Sequence, residues 1–162
     1  MTILLMYYCN DVSLIKEILS FIKEFKINNS DIYEVLSGYE TNTASSFIES
    51  TFVEAGIGIP IIHDKYNFVH GRSTLGFNYS NNLIFFDCDN ELDSLYRNIL
   101  DDYYNNIIRI EKLSDDNIIN DYYFTYISML LCKSIACQKD KDLSNVDYSP
   151  LVKKLYYFKG EM

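Results

Sequence analysis

This sequence predicts an α/β fold: a three-layer α-β-α sandwich around a central, mostly parallel sheet of four to five strands. Two observations carry that expectation. Strand-like runs of four to six residues are apolar on both faces, as strands covered by helices on each side must be. Between them lie segments whose apolar residues recur three and four positions apart, the period of a helix with one buried face.

The elements follow in order. Residues 11–26 carry Leu14, Ile18, Phe21, Ile22 and Phe25 on one helical stripe, ended by Asn28-Asn29-Ser30. Residues 32–36 read as a strand closed by Ser37-Gly38. Ala44, Ile48, Phe52 and Ala55 mark a helix with Gly56 as its C-terminal stop. The isoleucine-rich run 57–62 predicts a second buried strand, and residues 83–86 a third, followed by a helix over 91–100. Residues 106–113 predict a fourth strand, then a long helix over 116–139 with a Tyr122–Leu131 stripe wide enough for core and subunit interface. Ser149-Pro150 opens a last helical turn or two. We therefore expect an N-terminal helix in residues 1–30, packing on the domain or on a partner, and one domain over 31–162.

Composition narrows the function. A net charge of −9 argues against a nucleic-acid partner, which needs a basic footprint. The 15 tyrosines and 10 phenylalanines suit half-buried faces, although plentiful Asn, Ile and Lys beside them also fit a nucleotide-biased genome. Cys9, Cys88, Cys132 and Cys137 match no zinc spacing, so no metal and no cofactor is expected. The opening MTILLMYYC lacks a basic leader, and the uncharged run over 122–132 is too short to span a bilayer. The expectation is a cytoplasmic protein with reduced thiols and no membrane contact.

Ligands of parallel sheets bind beyond the carboxyl ends of the strands. Here those ends are Ser37-Gly38, His63-Asp64, Asp87-Cys88-Asp89 and Lys112-Leu113-Ser114. Just past the second lies the chain's most concentrated chemistry, in the stretch ESTFVEAGIGIPIIHDKYNFVHGR from Glu49 to Arg72. Glu54 flanks the apolar stripe of its helix, where partial desolvation would raise its pKa toward that of a working base; the plain alternative is a solubilising surface carboxylate. His70 can give and take a proton near neutral pH, or be a loop histidine bonded to the backbone. Arg72 offers a fork for phosphate oxygens. Lys65 reads as a surface salt-bridge partner, Ser45 and Ser46 as helix N-caps near a possible anion site, and His63 beside Asp64 as a structural hydrogen bond.

These residues carry a resemblance. The chain is similar to sugar isomerase (SIS) domains, and more narrowly resembles the second SIS domain in the isomerase half of glutamine–fructose-6-phosphate aminotransferase. Glu54 and His70 stand 16 positions apart, as in that family, where a helix ends in a catalytic Glu and a later loop ends His-Gly-Pro. The likeness continues through Asn82-Leu83-Ile84-Phe85-Phe86, Asn90-Glu91-Leu92, Lys141-Asp142 and Pro150-Leu151-Val152-Lys153. It implies a flavodoxin-like strand order, Glu54 as proton-transfer base, and His70 in sugar-ring opening from a neighbouring subunit. It further implies Arg72, Lys153, Ser45 and Thr51 as substrate-binding candidates, a sugar phosphate as ligand, and a homodimer or pairing with another SIS chain. Three departures stand out: Thr51 replaces a lysine, Arg72 replaces the proline after His-Gly, and the Ser/Thr-rich phosphate loop of a first SIS domain is not visible. They open two alternatives, a non-catalytic sensor or interaction module and the C-terminal half of a split two-domain protein.

Overall fold

A computed structural model describes residues 20, 22, 25–74, 80–144 and 150. Strands β1 (Ile32–Ser37), β2 (Ile59–Asp64), β3 (Asn82–Asp87) and β4 (Ile107–Glu111) form one sheet in the order β2-β1-β3-β4. Every neighbouring pair is parallel. The chain steps from β1 outward to β2, then returns to the other side of β1 for β3, so the direction of winding switches between β1 and β3. Helices α1 (Asn42–Ala55), α2 (Glu91–Tyr103) and α3 (Asn117–Gln138) make the connections and the outer layers.

Strand alternation sorts the core into two halves. Tyr33, Val35, Ile84, Phe86, Ile108 and Ile110 face α1 and α3, where Ile48, Phe52, Phe124 and Leu131 meet them. Leu36, Leu83 and Phe85 face the other way, against Tyr96 and Leu100 of α2. The sheet is thus covered on both faces, and the expected α-β-α sandwich is the observed one. β3 is buried along its whole length, which accounts for the unbroken apolar run from Leu83 to Phe86 between Asn82 and Asp87.

The helix ends follow local chemistry. Gly56 closes α1 in the left-handed region at φ 61°, its N–H bonded to the Phe52 carbonyl. The Asn90 side chain accepts the Asp93 N–H at the start of α2, and Asp116 accepts the N–H groups of Ile118 and Ile119 at the start of α3. Along α3, Tyr123, Phe124, Ile127 and Leu131 are buried while Tyr122 and Met129 are exposed. Most of the helix expected over 11–26 and the turns after Pro150 lie outside the described residues. Of the former, Ile22 is buried, and its carbonyl accepts a bond from Ser134 of α3.

One strand differs from expectation. The run 57–62 predicts a buried strand, but β2 spans Ile59–Asp64 and forms an edge of the sheet, with Ile59 58% exposed. Ile57 contributes to the core from outside the strand, where it is buried with Tyr33 and Phe52. Gly58 sets the offset, because a Cβ there would lie 2.6 Å from the Tyr33 ring and 3.0 Å from the Asp31 carbonyl oxygen. Pairing begins one residue later, with the Ile59 N–H donating to Asp31 at 2.7 Å. In a parallel ladder successive N–H groups point to opposite sides, so Pro60 faces the open edge, where no donor is needed.

Candidate functional site

The segment after β2 turns sharply over a buried anchor. The Asp64 carboxylate accepts the N–H groups of Tyr66 and Asn67, and Phe68 is buried against Tyr96 and Tyr104. The backbone then kinks at His70 (φ −79°, ψ 39°) and Gly71, whose φ of 105° is a conformation that suits glycine. His70 and Arg72 flank that glycine and are both exposed. They are the two site candidates that the fold brings together on one turn.

Lys65 does not behave as the surface residue the sequence suggests. It is 2% exposed, and its Nζ lies 2.7 Å from the Asp93 carboxylate and donates to the Phe86 carbonyl. Its stem runs against Gly38, so it fills the crevice between the carboxyl ends of β1 and β3. The Asp93 carboxylate also accepts the Cys88 N–H at 2.6 Å, and the Tyr96 hydroxyl donates to the Lys65 carbonyl. The reason for the difference is position. A lysine one residue past an edge strand can turn inward when a buried carboxylate and a strand-end carbonyl stand ready to receive it.

The loop from β1 to α1 binds itself. Ser37 Oγ lies 3.0 Å from both Thr41 Oγ1 and Ser45 Oγ, and the Gly38 N–H donates to Thr41 Oγ1. Ser45 is not an N-cap as expected; that position belongs to Thr41, and Ser45 is buried inside the first turn, donating to the Asn42 carbonyl. These hydroxyls are consumed by one another and by the loop.

Glu54 and Thr51 lie at the other end of α1. Thr51 lines an apolar groove of about 560 Å³ between α1 and α3, together with Phe47, Tyr126 and Cys132. Glu54 is exposed and accepts a bond from Ser50 Oγ at 2.8 Å, whereas partial desolvation is the sequence expectation. Since α1 leads into the start of β2 and His70 follows its end, the six residues of β2 separate Glu54 from His70. At roughly 3.3 Å per residue that is about 16–20 Å of strand, so the two do not meet within one chain. Lys153 lies outside the described residues.

A buried polar cluster sits on the α2 side of the sheet. Glu34, in the middle of β1, is 0% exposed and lies 2.7 Å from His63 Nε2, the Tyr104 hydroxyl and the Asn81 amide. Burial pushes the Glu34 carboxyl up, but the hydrogen bonds from His63, Asn81 and Tyr104 and the His63 charge outweigh it and hold the pKa below the ordinary range. Burial and the same carboxylate push the Tyr104 phenol well up. His63 therefore makes the structural hydrogen bond expected of it, with Glu34 rather than Asp64. One signal for this cluster is present in the sequence, a carboxylate alone inside an apolar strand, which must find a partner.

The basic side chains along the carboxyl edge are held by acids. Arg97 bonds Asp87 and Asp89, and Lys112 bonds Asp115 with Asp89 3.7 Å away. No group of three His, Cys, Asp or Glu side chains able to hold a metal occurs among the described residues, and no helix among them is long and apolar enough to cross a membrane.

Solved proteins share this architecture. A candidate phosphosugar isomerase from Bacillus subtilis superimposes with a TM-score of 0.66 at 12% identity, covering 82% of this chain and 44% of its own. Glucosamine-6-phosphate deaminase from Thermotoga maritima gives 0.60 at 12%, covering 79% and 42%. A candidate phosphosugar isomerase from Salmonella typhimurium LT2 gives 0.60 at 13%, covering 82% and 44%. At such identities the likeness is one of fold, and the chain spans less than half the length of these proteins. No protein-family model and no curated protein matches the sequence.

Proposed function

We propose that this chain is a single SIS-type domain, similar to the second SIS domain of the aminotransferase isomerase half, that binds a phosphorylated sugar in a site assembled from two chains. The observation that supports this reading most is the separation of Glu54 from the His70-Gly71-Arg72 turn by the length of β2, with all three side-chain-bearing residues exposed. A homodimer, or a pairing with another SIS chain, would bring the turn of one subunit to the helix end of the next. In that arrangement Arg72 contacts the phosphate, with Lys153 as the second cation; Glu54 moves the proton between adjacent sugar carbons and His70 assists ring opening. Ser45 and Thr51 are better read as support for the loop and the helix groove. The compartment this implies is the cytoplasm, where the thiols stay reduced.

The test is binding and exchange with a panel of hexose and pentose phosphates on the intact assembly. An isomerase moves solvent deuterium into the bound sugar phosphate, and Glu54→Gln abolishes that. Absence of binding to any member of the panel would sink the proposal. A second reading, a sensor without turnover, draws on Glu54 itself: its carboxylate is exposed and bonded to Ser50 rather than buried beside the apolar stripe of its helix. Binding without deuterium exchange selects the sensor.

A further inference from the structure

Beside the crevice that Lys65 fills, the carboxyl edge holds a second feature that the Glu54–His70 reading does not use. The turn after β1 (Glu40), the loop after β3 (Cys88), the loop after β4 (Lys112, Ser114) and the start of α3 (Asn117) enclose a pocket of about 170 Å³. Parallel sheets take ligands at this position. The volume falls below the ~300 Å³ at which drug-sized pockets begin, so it admits one small ring or short chain and excludes a nucleotide. Apart from the Cys88 thiol the lining is amide, hydroxyl and charged groups. A ligand here is held by hydrogen bonds.

Charge decides its class. Lys112 is engaged by Asp115 at 2.8 Å, and Arg97 behind the β3 loop is engaged by Asp87 and Asp89. Glu40 is half-buried, and among the described residues its carboxylate has no hydrogen-bond or ion-pair partner. A pocket whose acceptor is unpaired and whose cation is already neutralised repels phosphate and favours hydroxyl donors. We propose that this pocket binds an uncharged polyhydroxylated molecule, a neutral monosaccharide or sugar alcohol, with Glu40 accepting from its hydroxyls. The inference deepens the sugar reading by adding an unphosphorylated ligand, but its charge argument does not depend on Glu54, His70 or Arg72.

Calorimetric titration of the full chain with D-glucose, D-fructose, D-ribose and ribitol is the direct test, with inorganic phosphate and glucose 6-phosphate as anionic arms. We expect saturable binding of at least one neutral member, and a loss of about ten- to a hundredfold in affinity in Glu40→Gln, the value of a hydrogen bond to a charged acceptor. The same ligand should slow modification of Cys88 by a thiol reagent, followed peptide by peptide, while leaving the exposed Cys137 unchanged. Glu40 is half-buried on the turn after β1 with no hydrogen bond or ion pair among the described residues, so circular dichroism should show the variant folded. Absence of binding by all four neutral compounds overturns the proposal, as does binding that Glu40→Gln leaves intact or that fails to shield Cys88. Glucose 6-phosphate separates the two readings. Binding that responds to Arg72→Ala but not Glu40→Gln supports the phosphosugar site alone, and neutral-sugar binding without it supports this pocket alone.

Discussion

Lys65 shows how a single side chain can carry a loop. Its ammonium, buried with Asp93, ties the start of the His70 turn to β3 and α2. Lys65→Met leaves a buried carboxylate without its counter-charge and should cost about 3–5 kcal/mol in urea unfolding. Adding Asp93→Asn should recover part of that loss, since the amide still accepts the Cys88 N–H without a bare charge. Glu34 makes a second prediction, for pH. Its pKa is lower in the folded chain than the roughly 4.3 of an unfolded Glu, so its contribution to stability is complete above that value and fades as pH falls through the lower folded one. Acid unfolding monitored by circular dichroism should therefore steepen below about pH 4, and Glu34→Gln should flatten that limb while costing about 1–3 kcal/mol at neutral pH. The sequence shows that Glu34 needs a partner, but the partners themselves are not legible in it. Glu34 and Tyr104 are 70 positions apart, and a lysine's direction cannot be read from its neighbours.

At the scale of elements, the helices and the central strands are legible because periodicity reports burial directly. β3 is covered on both faces, and its four central residues, Leu83 to Phe86, are all apolar. β2 is not, and the apolar run misplaces it by two residues: Ile57 serves the core from the connection, while polar His63 and Asp64 belong to the strand. Gly58 holds this offset through close approach rather than unusual backbone. Gly58→Ala would push a methyl into the fully buried Tyr33 ring and should destabilise by about 1–3 kcal/mol, read as a lowered Tm with no change in secondary structure.

For the whole molecule, the α/β class and parallel sheet follow from short apolar strands alternating with helices. The separation of Glu54 from His70 was not legible from spacing alone. The 16 positions from Glu54 to His70 contain an entire strand, so proximity in sequence becomes distance in space. The groove between α1 and α3, the self-bonded hydroxyls of the β1 loop and the filled β1–β3 crevice all arise from contacts between distant segments, which no local pattern encodes.

Pro60 changes what the border strand of the sheet offers to another copy of the chain. A strand at the border of a sheet offers unpaired donors and acceptors that can template another copy into a growing stack. With Ile59 exposed beside it, β2 has the apolar character that makes such stacking favourable, and the proline removes one outward donor from the row. Replacing it by threonine, Pro60→Thr, should leave the monomer's Tm nearly unchanged yet raise light scattering and amyloid-dye fluorescence on prolonged incubation. If the variant stays as clear as the parent, the proline is not what keeps this chain in solution.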